Sequence, residues 1–202
     1  MSDISSTFQQ IIDIVRDIAP AAANNFFPPA SEKKLASLAA RTPELPDDLF
    51  ALLRLHDGEG KESDFDSLLP NGVMLMGVDV IIDLHDEEIK MGRFSPKNIH
   101  NSATPAKFKT AGPVKAVFDH ATRVPFADGP AEIWLIDLDP APGGQIGQIV
   151  RENYEADYAC VIAPSLSALF ERYLTELMLA RGKFMIEDEQ IFTADSKSWP
   201  AV

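Results

Sequence analysis

Two aspartates at the end of an apolar segment come closest to a catalytic pair by type and spacing. Asp137 lies near the end of the run 133–138, and Asp139 follows the run directly. Alternate residues of a strand point to the same side, so the two carboxylates would face together and could share acid–base work. The pair also opens like a calcium-binding loop, but Gln148 occupies the twelfth position, where that loop requires glutamate. No third catalytic group is implied, and the structural interpretation is that Asp139 begins a turn with Pro140.

The histidines do not have the spacing of a metal site. No two of them lie four residues apart, the separation that places two ligands on one face of a helix. They are His56, His85, His100 and His120. His56-Asp57 has the order of a dyad used by metal-dependent phosphohydrolases, but no spacing assigns further ligands to it. The sequence therefore predicts no metal and no cofactor, and Gly58 after the dyad indicates a helix end with this glycine at positive φ.

Nucleophile and nucleotide-binding motifs are missing from the sequence. Cys160, the one cysteine, lies in an apolar segment, so we expect a buried, inert thiol and no intrachain disulfide. The sequence has no phosphate-binding loop ending in Lys-Ser or Lys-Thr and no Gly-x-Ser-x-Gly elbow. We therefore predict that the protein is not an enzyme. The alternative is an enzyme, namely a hydrolase that uses Asp137, Asp139 and a histidine.

A strongly acidic segment follows the helix that ends near His56. Five carboxylates oppose only Lys61 over ten residues, for a net charge of −4. The five are Asp57, Glu59, Glu62, Asp64 and Asp66. Two glycines in the same segment predict an exposed loop. It is interpreted either as a solvated turn or as a docking site for a basic partner.

The composition is that of an acidic globular protein. The chain has 202 residues, of which 46% are hydrophobic, and its formal net charge is −13. This length predicts one domain, with room for an extension, and enough apolar side chains for a core. The acidic balance argues against nucleic acid and anionic membranes as partners, because phosphate groups are bound by clustered Lys and Arg.

Charge is distributed unevenly along the chain. Residues 1–89 carry 17 acids and 6 bases, residues 90–123 carry 1 acid and 7 bases, and residues 124–202 carry 13 acids and 5 bases. The basic middle segment lacks interleaved aromatic residues for base stacking, so we interpret it as neutralising neighbouring acidic surface. The first residues resemble no signal peptide, and no apolar run is long enough for a bilayer, so a cytoplasmic location is expected.

Apolar periodicity predicts helices in the first half of the chain and strands in the second. Helices are predicted at 4–18, after Ser31, after Pro46, at 79–91 and after Ser165. Strands are predicted at 73–76, 133–138, 145–151, 158–162, 184–186 and 190–193. The run 133–138 is nearly continuously apolar, which is typical of a central strand covered on both faces. The turn residues at 140–144 predict that it forms a hairpin with the strand at 145–151. This order predicts an α+β fold with a mostly antiparallel sheet.

Several short segments follow one another in a fixed order along the chain. They are Leu45-Pro46-Asp47-Asp48-Leu49, His56-Asp57-Gly58, Val124-Pro125-Phe126-Ala127-Asp128-Gly129, Leu135-Ile136-Asp137-Leu138-Asp139-Pro140, Gly143-Gly144-Gln145-Ile146-Gly147-Gln148-Ile149-Val150 and Ala163-Pro164-Ser165-Leu166. Together they resemble the motifs of the SUKH superfamily, which includes yeast cell-wall-assembly regulators and many bacterial immunity proteins. Each segment alone is a weak signal, and the ordered set is fairly specific.

The resemblance implies a SUKH-like domain at 30–186, preceded by a helical extension at 1–29 and followed by a tail or short hairpin at 187–202. It implies a mostly antiparallel central sheet with helices from both ends of the chain packed around it. Its motif residues are expected to fix turns and fill the core rather than to react. They are Pro46, His56, Gly58, Pro125, Phe126, Asp137, Asp139, Pro140, Gly143, Gly144 and Gly147.

The resemblance also implies function by binding. We expect a protein-binding domain without cofactor or metal, of the immunity type that neutralises a bacterial toxin. A regulatory or scaffold protein of the same fold is the alternative. If the toxin is a basic nuclease, the acidic segment 57–66 could imitate phosphate and accelerate encounter by electrostatic steering.

Overall fold

A mixed sheet of six strands, packed against helices, forms the centre of the protein. The computed structural model describes residues 3–42, 44–63, 66–91, 108–116, 122–153, 156–179, 184–188, 190–194 and 199–200, without the side chains of 87–91. The helices are α1 (Ile4–Ile18), α2 (Pro20–Asn24), α3 (Glu32–Arg41), α4 (Asp47–Leu55), α5 (Val78–Met91) and α6 (Leu166–Leu179), with a 3₁₀ turn at Pro70–Gly72. The strands are β1 (Met74–Leu75), β2 (Lys109–Ala111), β3 (Arg123–Asp128), β4 (Glu132–Asp137), β5 (Gln148–Asn153), β6 (Tyr158–Ala163), β7 (Phe184–Glu187) and β8 (Gln190–Thr193).

The strand order of the main sheet is β1-β3-β4-β5-β6-β2, and β7 with β8 forms a separate hairpin. Neighbours pair antiparallel, except that β2 runs parallel to β6. The predicted hairpin of the apolar strand with the strand after the glycine turn is confirmed, with Trp134 opposite Arg151 and Asp137 opposite Gln148. The α+β prediction and the mostly antiparallel sheet are therefore confirmed.

Two strands are missed by the sequence interpretation. β3 falls on the segment 123–128, which contains Pro125, and the register of β3 with β4 shifts between Pro125 and Ala127. A proline and a bulge interrupt the alternation of apolar and polar residues by which a strand is recognised in a sequence. β2 lies in the segment 93–112, whose polar composition predicts irregular structure; it has three residues, of which Lys109 and Thr110 are exposed. Its pairing with β6 is non-local and leaves no periodic signal.

Helix α1 begins at Ile4 and belongs to the main core. The carboxylate of Asp3 accepts a hydrogen bond from the backbone N–H of Ser5 (3.3 Å), which caps the first turn. The apolar side of α1, including Ile4, Phe8 and Ile11, is buried in the same cluster as the inner face of the sheet. The helix preceding residue 30 thus packs on α4 and α6 rather than forming a core of its own. Pro20 ends α1 as expected, but it also starts the short helix α2.

The core lies between the inner face of the sheet and the helices. Trp134 on β4 is fully buried, together with Phe126, Cys160 and Phe170. Burial of Cys160 agrees with the inert thiol expected from the sequence, and burial raises the pKa of that thiol. The apolar spacing of the helix predicted at 79–91 places both Val80 and Ile81 on its inner side. In α5, Val78 and Ile81 face the core, but Val80 is exposed, so the prediction is wrong for Val80. Within the described part of the chain, every helix is too short or too polar to span a membrane.

Candidate partner-binding surface

The acidic segment that follows α4 contains a carboxylate that caps a helix. Asp57 lies just after α4, and its side chain is 11% exposed. Its Oδ1 accepts a hydrogen bond from the backbone N–H of Val78 (2.7 Å), at the start of α5. Its Oδ2 accepts one from Lys34 Nζ (2.6 Å), and this bond is the main cause of the raised pKa of Lys34. Asp57 therefore joins α3 to α5 and presents little charge to a partner.

Glu59 is the second carboxylate of the segment that the fold uses internally. It is 8% exposed, so the expectation of an exposed loop is wrong at this residue. Its Oε1 accepts a hydrogen bond from the N–H of Leu68 (2.6 Å), and its Oε2 accepts one from the N–H of Leu75 (2.7 Å). Burial raises the pKa of Glu59 to about 8, against the lowering effect of those two bonds. Near neutral pH the group is mostly protonated, and it contributes little to a charged surface.

Asn25 holds the rest of the segment in place, and sequence reasoning missed it. This fully buried side chain donates hydrogen bonds to the carbonyls of Ser63 (2.6 Å) and Asp66 (2.7 Å). Its Oδ1 accepts from the N–H groups of Glu62 (2.8 Å) and Ser63 (3.0 Å). Four hydrogen bonds from one amide give the loop a defined conformation. In the sequence Asn25 is one of two consecutive asparagines in a turn, with no signal that distinguishes it.

Among the described carboxylates of the segment, Glu62 and Asp66 lie at the surface, and we call these two residues the tip. The Glu62 side chain is 64% exposed and pairs with Lys61 at 2.7 Å. Asp66 is partly exposed, and its backbone carbonyl is held by Asn25. Asp64, the remaining predicted contact, lies outside the described residues. The structure thus places the four described carboxylates of the segment in two groups: Asp57 and Glu59 have internal partners, and Glu62 and Asp66 of the tip are at the surface.

The acidic tip belongs to an acidic half of the chain. Residues 1–89 contain 17 acids against 6 bases. Five of those six bases form ion pairs with acids of the same half, so they cannot also neutralise the excess. The pairs are Arg16–Asp13, Lys34–Asp57, Arg41–Asp86, Arg54–Glu32 and Lys61–Glu62. Residues 1–89 therefore keep a large excess of negative charge.

His56 has a packing role. Its ring stacks on Phe26 with 4.6 Å between the ring centroids, and its Nδ1 lies 3.4 Å from the carbonyl oxygen of Phe27. Burial lowers the pKa of His56, which favours the neutral ring. His85 is buried in the structure, whereas His100 and His120 lie outside the described residues. Among the described side chains, no group of three or more His, Cys, Asp or Glu residues could hold a metal ion.

The aspartates at the end of β4 do not form a catalytic pair. Asp137 is fully buried, and its carboxylate accepts hydrogen bonds from Gln148 Nε2 (3.0 Å) and from the backbone N–H of Asp139 (3.2 Å). Asp139 is exposed and forms an ion pair with Lys115 Nζ at 2.5 Å. One carboxylate therefore points into the protein and the other into solvent. Asp137, rather than Asp139, holds the start of the turn, which corrects the sequence interpretation.

Arg123 belongs to a buried charge cluster that the sequence did not indicate. Its Nη1 donates to Glu152 Oε1 (2.6 Å), its Nη2 donates to the carbonyl of Lys115 (2.8 Å), and its Nε lies 3.7 Å from Asp137 Oδ1. The Arg123 side chain is almost fully buried. The expectation that this arginine neutralises acidic surface is wrong, because the acids it faces, Asp137 and Glu152, are themselves buried. Such a cluster holds β3, β4 and β5 in register.

The remaining motif residues lie in turns and strands. Pro46 precedes the first turn of α4, and Pro125 and Phe126 are buried in β3. Gly143 and Gly147 adopt positive φ in the loop between β4 and β5, and a Cβ on Gly144 would lie 2.6 Å from Pro140 Cβ. This loop forms one wall of an open groove of about 370 Å³, whose other wall includes Val161 of β6 and Pro164, which follows that strand. The motif residues of this paragraph therefore lie where they can shape turns or fill the core.

Gly58 is the motif glycine with the closest backbone neighbours. Its φ is +85°, and a Cβ there would overlap the backbone nitrogen of Gly77 and lie 2.7 Å from the carbonyl carbon of Met76. Gly143 has a similar φ of +92°, but a Cβ there would meet nothing within 4 Å. The two glycines share the same conformational strain on substitution and differ in the steric clash.

The variants Gly58→Ala and Gly143→Ala are therefore a matched pair. The left-handed backbone costs each alanine about 1 kcal/mol. Gly58→Ala is expected to lose roughly 2 kcal/mol more, because the segments around Gly58 and Gly77 must separate. Urea unfolding of both variants measures the difference. Equal losses would show that Gly58 and Gly77 do not approach closely.

Comparison with known sequences identifies a family. Residues 29–172 match the sequence model of the SMI1 / KNR4 family (SUKH-1). The match begins after α2 and ends within α6, so it includes the acidic segment, β3 to β6 and the glycine loop. No curated protein shows significant sequence similarity to the chain.

Proposed function

Because the chain belongs to the SMI1 / KNR4 family (SUKH-1), we propose that it is a non-enzymatic protein-binding domain. More narrowly, we propose an immunity-type protein that neutralises a cognate bacterial toxin. A single observation carries the first part of this proposal. Among the described residues, four side chains that could perform chemistry are engaged in packing and internal hydrogen bonds: Asp57, Glu59 and Asp137 accept from backbone N–H groups, and His56 stacks on Phe26.

Charge supports a basic partner. The net charge is −13, and five of the six bases of residues 1–89 are already paired with acids of the same part of the chain. A basic toxin domain, such as one whose active site attracts phosphate, would be steered toward such a surface. Within the acidic segment predicted from the sequence, the tip is the part that can attract a basic partner, since Glu62 is exposed and Glu59 is buried.

Growth of bacteria that express a toxin tests this function. A toxin domain encoded beside the gene for this chain is expressed alone and together with the chain. We expect growth arrest with the toxin alone and restored growth with both proteins, because an immunity protein binds and blocks its toxin. Continued arrest with both proteins expressed in soluble form contradicts the immunity role and favours a regulator or scaffold of the same fold.

Binding of this chain to the same toxin domain tests whether the acidic tip is part of the interface. Glu62→Gln with Asp66→Asn removes two charges at the tip and leaves the hydrogen bonds of Asn25 in place, since those use backbone groups of the loop. At low salt we expect association with the toxin to slow by about threefold or more, with the difference shrinking as salt is added. The control, Glu187→Gln with Asp188→Asn, removes two charges from the end of β7 and the turn after it. Equal association rates for the two variants would place the interface away from the tip.

A further inference from the structure

The C-terminal residues Trp199 and Pro200 are buried in a pocket of the main body. The Trp199 ring lies against the rings of Tyr173 (4.8 Å between centroids), Trp134 (5.8 Å) and Phe184 (6.3 Å). These three walls come from α6, β4 and β7. Trp199 is 2% exposed, so the pocket encloses almost the whole indole. The segment of Trp199 and Pro200 thus packs against β4 in the middle of the sheet.

Polar groups recognise both the side chain and the backbone of this segment. The indole Nε1–H donates a hydrogen bond to Glu176 Oε2 (2.6 Å), and Glu176 also accepts from Arg172 Nε (3.0 Å). The buried guanidinium of Arg151 donates from Nη1 to the carbonyl oxygen of Pro200 (3.2 Å). Aromatic walls, a carboxylate for the indole N–H and an arginine for the following carbonyl are the components of a peptide-recognition site.

The way the segment is held distinguishes it from an ordinary core element. Trp199 and Pro200 lie in a bend, outside the helices and strands of the described chain, so ring contacts and two hydrogen bonds hold them. Part of the pocket, formed by Tyr173, Glu176 and Phe184, lies beyond the residues that match the family, as does the segment itself. The contact is therefore a feature of this chain that family membership does not imply.

We propose that this pocket is a binding site for a tryptophan–proline segment, and that the chain's own C-terminal residues occupy it as an exchangeable intramolecular ligand. The tethered segment acts at an effective concentration near the millimolar range, so it keeps the pocket closed against free peptides of the same chemistry. A partner that presents Trp-Pro at high local concentration displaces it. This exchange of the bound segment for a partner's Trp-Pro segment does not involve the acidic tip. It also does not require that the partner be a toxin.

The test uses the full chain and a fluorescently labelled synthetic peptide with the sequence of residues 196–202, Ser-Lys-Ser-Trp-Pro-Ala-Val. The variant Trp199→Ala vacates the indole site, so it should bind the labelled peptide at least about tenfold more tightly than the wild-type chain, whose tethered segment competes. A control peptide with alanine in place of tryptophan should not bind. Equal, weak binding of the labelled peptide by a folded Trp199→Ala variant overturns the proposal.

Because Trp199→Ala removes a buried side chain and can impair folding, a second variant keeps the tryptophan. A specific protease site inserted between Asp195 and Ser196 allows the segment to be cut after folding. The released peptide should stay with the body on gel filtration and be displaced by excess synthetic peptide, and Glu176→Gln in the same protein should speed its release several-fold. A cut segment that departs at once, or a bound one that excess peptide never displaces, overturns the proposal.

Discussion

Replacing Trp134 by aspartate is expected to unfold the protein. Trp134 is fully buried on β4, where its ring packs beside Trp199 and Phe126, and its Nε1–H donates to Glu132 Oε1 (2.9 Å). Removing a buried tryptophan costs about 3–5 kcal/mol, and the aspartate adds a carboxylate with no compensating partner. Together, these two costs approach the whole free energy of unfolding of a typical domain, about 5–15 kcal/mol.

Circular dichroism and thermal unfolding measure this effect. The matched control is Ile146→Asp, the same kind of change at a residue that is 72% exposed in the loop between β4 and β5. The control should keep the melting temperature of the wild-type chain within a few degrees, while Trp134→Asp should show no cooperative transition. A cooperative transition for Trp134→Asp at the wild-type temperature would mean that Trp134 is not in the core.

The stability of the protein should fall between about pH 5 and pH 8, because of Glu59. Burial raises the pKa of this group from 4.5 to about 8 in the folded protein. In that window the folded state keeps a proton that the unfolded chain releases, so raising the pH favours unfolding. The contribution of Glu59 to the free energy of unfolding is complete below the unfolded pKa and is lost as the pH rises through the folded pKa. A tenfold difference in proton affinity between the two states corresponds to about 1.4 kcal/mol, which sets an upper limit of about 4–5 kcal/mol on this contribution.

The variant Glu59→Gln isolates this group from the others that titrate nearby. Glutamine does not ionise, and its single carbonyl oxygen can accept from Leu68 or from Leu75 but does not replace both carboxyl oxygens. We expect the variant to be less stable than the wild-type chain at pH 5 by about 1–2 kcal/mol. This difference should disappear or reverse at pH 8.

Urea unfolding at pH 5, 6, 7 and 8 provides the measurement. Glu62→Gln is the control, since this neighbour in the same segment is exposed and its neutralisation should leave the pH profile parallel to that of the wild-type chain. The raised pKa values of Asp128 and Glu132, both caused mainly by burial, act on wild type and variants alike. Parallel profiles for wild type and Glu59→Gln would show that Glu59 keeps an ordinary pKa in the folded protein.

The motif residues identified from the sequence are positions where local backbone or packing requirements are strong. Gly58 adopts the predicted positive φ, a helix begins next to Pro46 as predicted, and the strand at 133–138 pairs with its predicted partner. Each of these features depends on residues close in sequence or on an apolar run, and both are visible in a linear pattern. The α+β class and family membership could be predicted for the same reason.

The candidate site is predicted less well. The charge and the glycines of the acidic segment predict exposure along its whole length, and this prediction holds for Glu62 but not for Glu59. A buried carboxylate needs donors from elsewhere, and those of Glu59 come from Leu68 and Leu75, beyond the segment itself. Asn25 and Arg123 are missed for a related reason, since an asparagine in a turn and an arginine at a strand end look the same whether they are solvated or buried.

The sequence by itself determined where apolar runs, helix ends and turns lie, because these depend on the side-chain period and on the backbone preferences of Gly and Pro. Only the tertiary structure decided which polar groups enter the interior. Glu59, Arg123 and Asp137 are buried because donors or acceptors from distant strands and loops compensate for lost water. Likewise, the contact of Trp199 with Trp134 joins residues 65 positions apart. A linear pattern does not encode such pairings, since each requires that the rest of the fold already be in place.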